Sequence, residues 1–190
     1  MKGFERDDQL FSLCGLNCGL CPMGLGGHCG GCGKGNQTCK IARCSLEHGA
    51  VAYCFHCPDF PCGQYEKIDD FDSFITHKNR RADMERAQEI GLAAYREEQR
   101  EKAGILELLL AHYNDGRRKT FFCQAVNLLP LPAIRDIMAQ LEQSVQMDAW
   151  SVKERSAYAV KLFQAFADQE GISLKLRKKQ RSKEQANGAS

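Results

Sequence analysis

The sequence predicts a mainly α protein in two parts: a small cysteine-rich N-terminal module of irregular loops and knuckles, residues 1–65, packed on a C-terminal helical bundle, residues 66–173. Three observations predict it. Ten of the 11 cysteines fall between Cys14 and Cys62, and twelve of the 17 glycines lie within residues 1–65, where no run is long enough to show a helical or strand period. From about Lys67 onward, apolar residues recur at helical spacing, and no strand–helix alternation is visible. The 190 residues, 21.3 kDa, hold one medium domain or two small ones.

Taken in order, the N-terminus carries Glu5, Asp7 and Asp8 where a signal peptide needs an unbroken apolar stretch. The best apolar run, Ile105 to Ala111, is broken by Glu107 and is far short of a membrane span. The expectation is a cytoplasmic protein without a membrane partner. Residues 1–65 are too rich in glycine to bury a core of their own, so ligation of a metal must replace the missing apolar burial. A polar helix is predicted over Ala82 to about Arg100. A second covers Lys102 to Asn114, with Leu106, Leu109, Leu110 and Tyr113 at i, i+3, i+4, i+7 and a stop at Asn114-Asp115-Gly116.

A short apolar helix follows over Thr120 to Leu128. Leu129-Pro130-Leu131-Pro132 is a hinge whose second proline suits the first turn of the next helix. That helix presents Ile134, Ile137, Met138, Leu141 and Val145. The last long helix opens at Ser151, where Ser151 and Glu154 form a capping box, presents Val152, Ala159, Phe163 and Phe166, and ends at Gly171. Residues 174–190 hold six Lys or Arg and one acid and read as a disordered basic tail, while the other 173 residues carry 20 bases and 23 acids. The formal charge of +2 thus conceals a basic end on a mildly acidic body.

The cysteines run Cys14-x3-Cys18-x2-Cys21-x7-Cys29-x2-Cys32-x6-Cys39-x4-Cys44-x9-Cys54-x2-Cys57-x4-Cys62. Three intervals are Cys-x2-Cys, in which a tight turn can aim both thiolates at one ion while backbone N–H groups point at the sulfurs. Gly30, Gly31 and Gly33 suit such turns, and Pro22 and Pro58 stiffen the exits. In a reducing compartment this density points to metal rather than disulfides. Tetrahedral zinc takes four ligands, so eight of the ten thiols would fill two closed sites and leave two spare, with His28, His48 and His56 as further donors. The alternative is an iron–sulfur cluster. Cys14, Cys18 and Cys21 have the three-cysteine spacing of radical adenosylmethionine enzymes, but the strand–helix barrel that chemistry needs has no counterpart here, nor does a ferredoxin run.

Other candidates are weaker. Cys123 sits in an apolar helix, where a packed, inert thiol is expected. Arg117 and Lys119, beside Asn114, Asp115 and Arg118, form a basic turn before a helix start and could meet an anion, although a solvated helix cap accounts for them as well. The tail could touch phosphates, but residues 1–65 balance five bases with five acids, which argues against nucleic acid as the partner. No phosphate loop, His-Glu-x-x-His helix or nucleophile elbow is present. The expectation is therefore a structural or interaction protein with about two cysteine-ligated zinc ions and a protein partner. A metal-dependent or thiol redox enzyme and a nucleic-acid-binding zinc protein stand as alternatives.

The strings Cys14-Gly15-Leu16-Asn17-Cys18-x2-Cys21-Pro22, Cys29-Gly30-Gly31-Cys32, Cys39-x4-Cys44 and Cys54-x2-Cys57-x2-Phe60-Pro61-Cys62 resemble the cysteine-rich prokaryotic domain-of-unknown-function family 3795. Tyr113-Asn114-Asp115-Gly116-Arg117, Phe121-Phe122-Cys123, Leu128-Leu129-Pro130 and Leu174 to Lys179 resemble its longer members. The resemblance implies a zinc-binding cytosolic protein with no assigned activity.

Overall fold

A computed structural model describes residues 1–66, 68–144 and 149–179. Seven α-helices and three short 3-10 turns, with no strand, make up the regular structure of the described residues, as a mainly α fold requires. No helix among them is long and apolar enough to cross a membrane.

The cysteine-rich segment holds more order than its glycines suggest. It contains α1 (Pro22–Leu25) and an eight-residue helix α2 (Lys40–Glu47). Helix α2 turns Ile41, Ala42 and Ser45 inward and leaves Lys40 and Arg43 at the surface. Ile41 and Ala42 pack with Phe4 and Leu13 in a small local cluster. The expectation that residues 1–65 bury no core of their own is corrected: the eight-residue helix that follows Cys39 and contains Cys44 is too short to display a period in the sequence, yet it buries two apolar side chains. The segment also shares its neighbours' cores. Phe11 stacks on Tyr53 and meets Tyr95 at a tilt beside Met84, and Leu20 enters the main helical core.

Helix α3 (Arg80–Glu89) and the 21-residue α4 (Leu92–His112) meet at Ile90-Gly91. The two helices predicted as Ala82–Arg100 and Lys102–Asn114 are thereby redrawn. The charged run near residue 101 does not break the chain, since it continues the helix and pairs Glu101 with Arg135. The break falls at Gly91, whose φ of +85° few other residues tolerate. Helix α5 (Lys119–Leu128) lies at the centre of the bundle, and every residue from Phe122 to Asn127 is buried. It packs against α1, α4 and α7, so its sequence is apolar on most sides.

Helix α6 (Leu131–Ser144) has Pro132 in its first turn and buries Ile134, Ile137 and Leu141, with Met138 half-buried. Val145 lies outside the described residues. Helix α7 (Val152–Gln169) opens with the expected capping box: the Glu154 N–H donates to Ser151 Oγ, and the Ser151 N–H donates to Glu154 Oε2. It buries Ala159 and Phe163, with Phe166 half-buried. Val152 is exposed rather than packed, because the first turn of α7 precedes the part that meets the core.

The basic tail is not free at its start. Leu174 joins the main core, the Arg177 guanidinium and N–H both donate to the buried Asp72 carboxylate, and the Asp72 N–H donates back to the Arg177 carbonyl. Lys78 Nζ donates to the carbonyls of Ser173 and Lys175. The reading of disorder from residue 174 therefore fails through Arg177, where one apolar side chain and one buried counter-charge hold the chain. Residues 180–190 lie outside the described residues.

Candidate metal centre

Two of the three Cys-x2-Cys intervals form single 3-10 turns. Cys18–Leu20 is closed by the Cys21 N–H donating to the Cys18 carbonyl at 3.1 Å, and Cys54–His56 by the Cys57 N–H donating to the Cys54 carbonyl at 2.9 Å. Each turn places its two cysteines at the ends of one tight loop. The third, Cys29 to Cys32, bends instead through Gly31 at φ +86°. Gly15 lets the Cys14–Cys18 loop lie on α3, since a Cβ there would stand 2.7 Å from the Arg80 carbonyl oxygen.

The ten cysteines are all half-buried and free of disulfides, and they gather in two neighbourhoods that meet where Cys14 comes near Cys54. Cys44 from α2, Cys54 and Cys57 at the second 3-10 turn, and Cys62 beyond it line one cavity of about 20 Å³, shared with Tyr65 and Phe60, whose rings meet edge to face. That is room for one ion or one water, not for a substrate. Cys14, Cys18, Cys21 and Cys32 form a second neighbourhood, in which Cys39 lies close to Cys32. Cys29 Sγ packs against Gly35. Among the described residues, no three Cys, His, Asp or Glu side chains converge tightly enough to ligate an ion as they stand.

Burial pushes the Cys18 thiol well up, and its neighbours Cys14, Cys32 and Cys21 add to the shift. Burial takes Cys32 up to about 11 against a lowering hydrogen bond from the Leu13 backbone, and takes Cys54 up to about 12 against the Tyr65 hydroxyl. Cys44 is raised by burial and then by Cys62 and Cys57. Crowded thiols of this kind keep their protons until a cation offsets the charge.

The histidines divide. His48 Nδ1 lies 2.8 Å from its own helix's Cys44 carbonyl and 3.6 Å from Cys44 Sγ, beside the small cavity. His56 packs edge-on against Phe55 and Tyr53, so its ring is used in packing. His28 folds over Gly26. Cys123 is fully buried in α5 and pushed up to about 12 by that burial. In the basic turn, Asn114 Oδ1 accepts from the Gly116 and Arg118 N–H groups and Asp115 Oδ1 from that of Arg117, while the Arg117 side chain points to solvent.

Residue spacing alone did not single out Asn17. Its side chain donates to Asp83 and Asn127 and accepts from Tyr95, joining the first cysteine loop to three helices. No sequence signal marks partners 66 to 110 positions away. Compared with known proteins, the chain matches no protein-family model, no curated protein and no solved structure.

Proposed function

We propose that the chain is a zinc protein in which cysteine-ligated ions hold the N-terminal module, serving a structural and protein-interaction role. The observation that carries this reading is the cavity of about 20 Å³ shared by Cys44, Cys54, Cys57 and Cys62, a four-thiolate set of the kind a closed zinc site uses. Side-chain rotation would draw these sulfurs onto an ion. Bound zinc would supply charge compensation and cross-linking without redox chemistry. The second ion would draw four of the remaining six, Cys14, Cys18, Cys21, Cys29, Cys32 and Cys39, so both surplus thiols belong to that group.

Protein purified without air and analysed for metal should be colourless and carry about two zinc ions per chain. Cys57→Ser should lose one ion and keep the other. Brown protein containing iron and sulfide would replace this reading with a cluster-bearing one, and metal-free folded protein would remove both.

A further inference from the structure

The loop from Ile68 to Lys78 is held by its polar side chains and turns two phenylalanines outward. Asp72 Oδ1 accepts from the His77 N–H at 2.8 Å, and the His77 ring lies between the Ile68 carbonyl at 3.1 Å and Ser73 Oγ at 3.0 Å. Ile75, Thr76 and His77 are buried. On this clamped loop Phe74 is 60 % exposed and Phe71 38 %. Large apolar side chains exposed singly are ordinary. These two share one short loop and lie beside a concentration of charge.

That charge comes from the C-terminal segment. Asp72 binds both the N–H and the guanidinium of Arg177, and Lys78 Nζ donates to the Ser173 and Lys175 carbonyls, so residues 173–177 run along the loop. Lys179 Nζ stands 5.6 Å from the centroid of the Phe71 ring, within cation–π range, and Lys175, Lys178 and Lys179 are exposed. The sequence continues with Arg181 and Lys183, so residues 175–183 hold six Lys or Arg and no acid. Of the loop's own carboxylates, Asp72 pairs with Arg177 and Asp69 with Arg80 at 3.4 Å, which leaves Asp70 to face solvent.

We propose that this edge docks on an anionic phospholipid surface, with Phe71 and Phe74 entering the interface and the lysines lying over the headgroups. Apolar insertion and a polybasic stretch are two signals that together hold a peripheral protein on a membrane, and no spanning segment is needed. Composition favours lipid over other anionic partners. Four of the six cations are lysines, which are depleted at protein–protein interfaces. A single-stranded nucleic acid would stack its bases on a free ring face, whereas Lys179 stands over that of Phe71. A lysine so placed snorkels, its stem along the apolar surface and its ammonium toward the phosphates. The proposal uses no cysteine and goes beyond the zinc reading.

The test is co-sedimentation of the full chain with vesicles of phosphatidylcholine alone and of equal parts phosphatidylcholine and phosphatidylglycerol. Binding to the anionic vesicles is expected, about tenfold or more stronger than to the neutral ones and weakened by salt. Phe71→Ser with Phe74→Ser changes only surface side chains, so its circular dichroism should match the parent's while binding falls about tenfold or more. Phe74→Ser alone should weaken binding in the same direction. Lys178→Gln with Lys179→Gln should cost about tenfold or more. No binding to anionic vesicles, equal binding to neutral ones, or binding untouched by the phenylalanine variants would each overturn the proposal. So would tighter, phenylalanine-dependent binding of a single-stranded oligonucleotide, which would assign the surface to nucleic acid.

Discussion

Asn17 Nδ2 stands 2.8 Å from Asp83 Oδ2, so the loop between Cys14 and Cys18 is hydrogen-bonded directly to α3. The same amide donates to Asn127 Oδ1 at 2.8 Å, and its oxygen accepts from the Tyr95 hydroxyl at 3.0 Å. One buried side chain thus satisfies polar groups from α3, α4 and α5. Asn17→Ala removes one hydrogen bond from each of the three, while Asp83 Oδ2 and Asn127 Oδ1 keep the Asn79 amide, so a net loss of about 1–3 kcal/mol is expected. Urea unfolding measures it, and an unchanged midpoint would show that the network is replaced by water at no cost.

Asp83 makes stability depend on pH in a direction opposite to most carboxylates. Burial raises it to about 7 in the folded chain, against about 3.9 unfolded. Its contribution is therefore complete below pH 4, falls as pH rises toward 7, and stays lost above. Asp83→Asn keeps an oxygen for the Asn17 and Asn79 amides but carries no charge. The variant should be more stable than the parent by about 1 kcal/mol or more at pH 8, with the difference shrinking toward pH 5.5. A difference independent of pH in thermal unfolding would refute the assignment.

Asp72 behaves conversely. Burial alone would raise it, but the Arg177 guanidinium and the backbone N–H groups of Arg177 and His77 outweigh that and hold it at about 2. The lowered value supplies stability above pH 4 that disappears as pH falls toward 2. Asp72→Asn should cost about 1–2 kcal/mol at pH 7, somewhat less than the shift implies because Arg177 is partly solvated. The gap between variant and parent should close in acid unfolding experiments below pH 4.

Metal removal tests how far the module and the bundle are one unit. Phe11 packs on Met84 and Tyr95, whereas α5, α6 and α7 bury most of the main core among themselves and α4. Chelation should strip hydrogen-exchange protection from residues 10–65 and from α3, and leave most protection in α5 and α7. Simultaneous loss everywhere would mean a single cooperative structure.

The helical class is legible because Leu106, Leu109, Ile134, Ile137, Leu141 and Phe163 carry a 3.6-residue period that only burial on one face explains. The Ser151 cap and Pro132 are local, so spacing alone places them. Gly91 and residue 101 look equally able to end a helix in sequence; the difference lies in a φ value and in the Glu101–Arg135 pair, both tertiary facts. Cysteine spacing identifies ten candidates but leaves their partition open, since any two Cys-x2-Cys turns can combine. The grouping of Cys44 with Cys54, Cys57 and Cys62 depends on where α2 lies.

The pairing of Asp72 with Arg177 also has a consequence for the order of events during synthesis. The carboxylate emerges 105 residues before its counter-ion. At roughly 5–20 residues per second of translation, that is a wait of roughly 5–20 s in which Asp72 must stay in water. The stretch around Asp72 therefore lacks its counter-charge while the later helices are still being made, even though Ile75 and the Thr76 N–H to Gln124 bond can already tie residues 75 and 76 to α5. A nascent chain arrested before Arg177 would leave the Asp72 carboxylate without the guanidinium and backbone N–H that hold it in the finished chain.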